Sequence, residues 1–98
     1  MPGSLAIIGA GSWGTALAIV LAPRFDRVQL WAHEADLVER MRGSRENDIF
    51  LPGFQLPANV HPTTELKVAL EGAGTVVNFE KSRSGAPKGV GVRKSLIA

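Results

Sequence analysis

Hydrophobic positions along this chain fall into short runs separated by glycine and proline. Leu5-Ala6-Ile7-Ile8 is a compact apolar run that ends at Gly9. A run this short, bounded by glycine, predicts a buried strand. Gly9 to Gly14 follows as a turn. From Thr15 to Ala22 the chain is then almost wholly apolar, with Ala16, Leu17, Ala18, Ile19, Val20 and Leu21. That segment predicts a helix buried against a sheet and ended by Pro23. Arg27-Val28-Gln29-Leu30-Trp31 alternates polar and apolar residues and predicts a second strand. Leu37, Val38 and Met41 have helical spacing within Ala35 to Arg42, and Gly43 is the expected stop.

Residues 44–59 are polar and punctuated by Pro52-Gly53 and Pro57, which predicts a loop with at most one turn of helix. Val60-His61 begins a short third strand. Thr63 or Thr64 is placed to cap a helix through Leu70, with Gly72 and Gly74 ending it. Thr75-Val76-Val77 opens a fourth strand. The order β-α-β-α-β-α-β predicts an α/β fold: a parallel sheet with right-handed crossovers and flanking helices. No internal repeat is present. After Val77 the pattern fails. Asn78-Phe79-Glu80 breaks the strand, and the segment that follows is rich in glycine and basic residues, without periodicity. It reads as a flexible tail.

Composition changes this picture in three respects. Hydrophobic residues make up 45% of the chain and charged residues 20%, an ordinary globular balance. Cysteine is absent, so a disulfide framework and a thiolate metal site are excluded. His33 and His61 stand apart and suggest no metal cluster. The net charge of +2 is unevenly spread: residues 1–77 carry six Lys/Arg against eight Asp/Glu, and residues 78–98 carry five against one. The body is mildly acidic, and the tail's one aromatic, Phe79, offers no stacking platform, so nucleic acid is not an expected partner. There is no basic leader followed by an apolar stretch and no apolar run of membrane-spanning length, so the expected setting is cytoplasmic.

Gly9-x-Gly11-x-x-Gly14 carries the chemistry. The three glycines follow a predicted strand and open a predicted helix, with a second strand close behind, which is the context of a dinucleotide-binding turn. Gly9 permits the tight exit from the strand, Gly11 lets the backbone approach a pyrophosphate, and Gly14 allows close helix–sheet packing. The free N–H groups and positive dipole end of the helix then face the phosphates. The fold class expected is therefore a Rossmann-type parallel sheet, incomplete at about four strands. Residues 1–77 form the front of that domain and residues 78–98 the basic tail. At the end of the second strand, an acid commonly binds the adenosine ribose. Here the chain reads Trp31-Ala32-His33-Glu34. Ala32 falls where the acid often lies, His33 where NADP-binding domains often place a cation, and Glu34 would repel a 2′-phosphate if it pointed inward. A site tolerating both NAD and NADP is the expectation. The glycine turn alone is shared with 6-phosphogluconate, hydroxyacyl and ketopantoate dehydrogenases, and with non-enzymatic nucleotide-binding modules.

Three linked elements narrow the reading. Gly9-Ala10-Gly11-Ser12-Trp13-Gly14-Thr15-Ala16-Leu17-Ala18, Leu30-Trp31-Ala32-His33 and Arg45-Glu46-Asn47-Asp48-Ile49-Phe50-Leu51-Pro52-Gly53 resemble the opening of bacterial NAD(P)-dependent glycerol-3-phosphate dehydrogenases. Thr64-Glu65-Leu66, Ala69-Leu70 and Gly72-Ala73 are similar to that family's next segment. The resemblance covers residues 4–77. It implies a nicotinamide cofactor, NAD or NADP, held by Gly9, Gly11, Ser12, Trp13, Gly14 and His33, with Phe50 as a candidate wall of the cleft. It also implies reversible reduction of dihydroxyacetone phosphate to sn-glycerol 3-phosphate for phospholipid synthesis, with a lysine as acid/base.

The chain departs from the family after Val77. The family's Val-Pro-Ser-His-like turn is replaced by Asn78-Phe79-Glu80, and its Thr-Lys-Gly-like and Leu-Lys-Asn-like motifs do not occur. Lys67, Lys81, Lys88 and Lys94 match no catalytic context, so no catalytic residue is expected. A frameshifted or otherwise altered reading past codon 77 and a genuine short variant both fit the charge change. With four strands and an exposed sheet edge, marginal stability and association between copies, as a homo-oligomer, are expected.

Overall fold

The computed structural model describes residues 3–80 and 91–94. Its elements are β1 (Ser4–Ile8), α1 (Ser12–Leu21), β2 (Arg27–Trp31), α2 (Ala35–Ser44), β3 (Val60–Thr63), α3 (Leu66–Leu70), β4 (Ala73–Asn78) and β5 (Gly91–Lys94). The sheet order is β3-β2-β1-β4-β5. The first four strands are parallel, with Ile8 of β1 registered against Trp31 on one side and Asn78 on the other. This is the 3-2-1-4 order of a Rossmann-type half.

β1 is central and buried throughout, and its alternating side chains serve two cores. Leu5 and Ile7 join Val28, Leu30, Val60 and Val77 under Ala18 of α1 and Leu37, Val38 and Met41 of α2. Ala6 and Ile8 face the other way, with Trp31 and Ala73, under Ala69 of α3. α1 begins at Ser12, three residues before the apolar run that predicted it. Gly11 serves as its N-cap with no side-chain hydrogen bond. Pro23 stands in a 3-10 turn, Ala22–Arg24, that follows the α-helix directly.

Two further boundaries differ from expectation for physical reasons. α2 runs through Gly43 and stops at Arg45, which takes the left-handed conformation at φ 59°. A non-glycine residue is held there because its guanidinium donates to the carbonyls of Pro57 at 2.7 Å and Val60 at 2.8 Å. β3 continues past His61 through Pro62 to Thr63. It is an edge strand, where proline's missing N–H removes no ladder bond, and the Pro62 carbonyl accepts from Arg42 Nε at 3.0 Å. Neither Thr63 nor Thr64 is the N-cap of α3; that position is Glu65, whose N–H donates to Thr63 Oγ1 at 3.0 Å.

The largest departure is β5. Gly91–Lys94, inside the segment read as an aperiodic tail, pairs antiparallel with β4, Val77 opposite Val92 and Asn78 opposite Gly91. The open backbone groups of β4 recruit a strand that has no hydrophobic pattern of its own. The edge expected to be bare is therefore covered at those positions. The rest of the predicted tail, residues 81–90 and 95–98, lies outside the described residues, as do Lys81 and Lys88. No helix among the described residues is long and apolar enough to cross a membrane.

Candidate functional site

The glycine turn sits at the C-terminal end of β1, between the ends of β2 and β4, where open α/β sheets bind their ligands. Gly9 leaves the strand at φ 118°, a conformation open to glycine and strained for other residues. Its N–H continues the ladder to the Trp31 carbonyl at 2.9 Å. Gly14 is fixed by space: a Cβ there would lie 1.9 Å from the Gly9 carbonyl oxygen. Gly11 is the opposite case, since a Cβ there would meet nothing within 4 Å. Its open side faces a cavity of about 560 Å³ lined by Gly9 to Gly14, Glu34, Leu37, Phe50, Phe79 and Glu80. The first turn of α1 has no acidic residue and no side-chain cap, so its N–H groups remain available to an anion.

A buried network holds the turn in place. Asn47, fully buried, donates from Nδ2 to the Ala10 carbonyl at 2.8 Å and to Thr15 Oγ1 at 2.7 Å. Thr15 Oγ1 in turn donates to the Ala10 carbonyl at 3.3 Å. Asn47 Oδ1 accepts from the Phe50 N–H at 3.1 Å. One side chain thus joins the loop after α2 to the glycine turn, and it leaves Phe50 at the cavity wall. Outside the network, Arg40 and Asp48 pair across the base of the same loop. Each stabilises the other's charged form: the Asp48 carboxyl lies below its ordinary range and the Arg40 guanidinium above its own.

The structure brings Gly9, Gly11, Ser12, Trp13 and Gly14 to one cavity. Ser12 is exposed at the first helical position, and Trp13 is 78% exposed, so it is not a core aromatic. His33 is not among the lining residues. It stands just beyond β2, its ring edge-on to Trp31 at a centroid distance of 4.4 Å, with Nε2 3.2 Å from Glu80 Oε1. Trp31 is itself fixed by donating from Nε1 to the Thr64 carbonyl at 2.9 Å. His61 lies at the opposite end of the sheet, beside Gly3, Ser4, Asp26, Arg27 and Gly72. Burial, aided by Arg45 and Arg27, holds its pKa below the ordinary value. No group of three or more His, Cys, Asp or Glu able to hold a metal occurs among the described residues.

Sequence reasoning missed the roles of Asn47, Thr15, Phe79 and Glu80. Asn47 was visible only as part of a motif, with nothing to show that a loop residue would be fully buried. Glu80 carried a usable signal, because the end of a fourth strand in this topology faces the ligand crevice.

Comparison with known proteins agrees with this geometry. The family model described as NAD-dependent glycerol-3-phosphate dehydrogenase N-terminus matches residues 4–79. The glycerol-3-phosphate dehydrogenase [NAD(P)+] of Moorella thermoacetica is 48% identical over 77 residues, which cover 79% of this chain and 23% of that protein. A solved glycerol-3-phosphate dehydrogenase from Coxiella burnetii superposes with a TM-score of 0.74 at 40% identity, over 79% of this chain and 24% of that one. The enzyme from Saccharomyces cerevisiae does so at 0.70 and 28% identity, over 80% and 26%. The chain thus spans about a quarter of the length of these relatives. By its glycine turn, its strand order and the extent of the match, the chain belongs to the NAD-dependent glycerol-3-phosphate dehydrogenase N-terminal family.

Proposed function

We propose that this chain is the cofactor-binding front of an NAD(P)-dependent glycerol-3-phosphate dehydrogenase, and that it binds a nicotinamide dinucleotide without completing the reaction by itself. The observation that carries this is the contrast between two glycines. Gly14 is required by the Gly9 carbonyl, whereas Gly11 leaves open space above the first turn of α1. That is a backbone cradle shaped for a diphosphate. Gly9, Gly11 and Gly14 form the cradle, Ser12 donates to the phosphates, Trp13 flanks the dinucleotide, and His33 lies toward the adenosine end. When bound, the nicotinamide supplies hydride exchange with a ketone carbon. The substrate pair in the complete enzymes is dihydroxyacetone phosphate and sn-glycerol 3-phosphate. No residue of this chain is assigned as acid/base; Phe79 and Glu80 line the cavity, and residues 78–98 are read as a departure from the family. The reading carries a cytoplasmic location with it.

Titration of the full 98-residue chain with NADH and NADPH, alongside an assay with dihydroxyacetone phosphate, tests the proposal. Dinucleotide binding without turnover is the expected result. Turnover by the chain alone would overturn the assignment of no acid/base, and failure to bind either dinucleotide would overturn the whole reading.

A further inference from the structure

The end of β2 is where this fold reads the ribose 2′ position, commonly with an acid. Here that position is Ala32, which is buried at 1% exposure and offers no side-chain acceptor. Two carboxylates stand at this end of the sheet: Glu34, the N-cap of α2, and Glu80, which comes from a different strand. Glu80 follows β4 and reaches across the end of β1, placing Oε1 3.2 Å from His33 Nε2. A Cβ added at Gly9 would meet Glu80 Oε2 at 3.2 Å, so the carboxylate lies beside Gly9, while the space at Gly11 stays open. The backbone at Glu80 is tied at two points. The Phe79 N–H donates to the Ile8 carbonyl at 2.8 Å, and the Glu80 N–H to Asn78 Oδ1 at 2.8 Å.

The surrounding charges are one-sided among the described residues. Among the described residues the cavity is lined by two carboxylates, Glu34 and Glu80, and by no Lys or Arg. The arginines of α2 and the following loop are engaged elsewhere: Arg40 with Asp48, Arg42 with the Pro62 carbonyl, and Arg45 with the carbonyls of Pro57 and Val60. His33, the residue placed to receive a 2′-phosphate, already faces Glu80. A ribose hydroxyl can donate to such a carboxylate, whereas a phosphate dianion is repelled by it.

We propose that Glu80 takes the place of the missing β2 acid and sets the cofactor preference, favouring NAD(H) over NADP(H) by accepting from the ribose hydroxyls and repelling the 2′-phosphate. This rests on the dinucleotide reading above and deepens it.

The test is calorimetric titration of the full chain and of Glu80→Gln with NADH and NADPH at low ionic strength. The wild type is expected to bind NADH roughly tenfold more tightly than NADPH, a factor within reach of one extra like-charge contact near a protein surface. Glu80→Gln should bring the two within about threefold, chiefly by gaining affinity for NADPH, and added salt should narrow the wild-type ratio in the same sense. Matching circular dichroism and thermal midpoints show that the variant is folded, and Glu80→Asp should keep part of the preference. A wild-type ratio near one, or an unchanged ratio in Glu80→Gln, overturns the proposal. So does a Glu34→Gln variant that shifts the ratio when Glu80→Gln does not. If neither dinucleotide binds the wild type, the failure lies in the dinucleotide reading itself, and this inference falls with it.

Discussion

On one face of the sheet, α1, α2 and Leu56 of the following loop close over Leu5, Ile7, Val28, Leu30, Val60 and Val77. On the other, the five-residue α3 buries Ala69 against Ala6, Ile8, Trp31 and Ala73, while Leu66, Val68 and Leu70 remain 42–45% exposed. The glycine turn belongs to the first face. Its conformation depends on a fully buried asparagine and on a helix pressed against a carbonyl oxygen, so packing and ligand geometry are there one problem. On the second face α3 helps to cover Trp31, against which His33 packs, but it supplies no residue to the hydrogen-bond network that holds the glycine turn. The difference teaches that substitutions on the two faces should separate cleanly: one face couples stability to dinucleotide binding, and the other does not.

Gly14→Ala breaks the comparison most severely. A Cβ 1.9 Å from the Gly9 carbonyl oxygen forces α1 away from the sheet. The expected cost is more than about 3 kcal/mol, enough to unfold a marginal domain. Urea unfolding followed by circular dichroism measures it, and a native-like transition midpoint would contradict the close packing. Asn47→Ala removes three hydrogen bonds at once, two of them buried. It should cost about 2–4 kcal/mol and should also weaken NADH binding, because the Ala10 carbonyl loses the group that positions it. A stability loss with unaltered binding would uncouple the network from the cradle.

The thin face sharpens the contrast from the other side. Leu66→Ser together with Val68→Thr should cost less than about 1 kcal/mol, since both side chains are already near half exposed, and should leave dinucleotide affinity unchanged. An effect as large as that of Asn47→Ala would show that α3 is a structural equal of α1. The smallest effect is electrostatic. The folded chain holds the His61 pKa below its ordinary value of 6.5, so the unfolded chain takes the proton first as pH falls. This contribution to stability is present above about 6.5 and declines as pH falls from there toward the folded pKa. His61→Gln should flatten that part of a stability–pH profile; a profile identical to wild type would assign the dependence to other groups.

The strand-turn-helix unit was legible because each level agreed: an apolar run, glycines at fixed offsets and an apolar helix. β2 was legible as a strand from its alternation, although that pattern implies one exposed face and the strand is buried on both, Gln29 included. Other features were set by contacts that no local pattern encodes. Gly43 looked like the stop of α2, yet the helix ends at Arg45, whose side chain reaches two carbonyls far along the chain. β5 has no pattern because it answers to the open edge of β4. At the site, the glycines and Ser12-Trp13 could be read from spacing. Glu80 could be placed no further than the crevice end of a fourth strand, because its partner His33 is 47 positions away in the sequence and is brought close only by the β2-β1-β4 order.

The central claim is that the turn from Gly9 to Gly14 is a dinucleotide cradle, with Gly14 serving the fold and Gly11 serving the ligand. The most direct measurement is NADH titration of the wild type and Gly11→Val, each paired with its thermal unfolding midpoint. At Gly11 an added Cβ meets nothing within 4 Å, and the backbone there is extended at φ −73°, so the variant should unfold within a few degrees of wild type. Its NADH affinity should fall at least tenfold, because the branched side chain occupies the diphosphate's approach. A Gly11→Val chain that is equally stable and binds NADH as tightly as wild type would contradict the account.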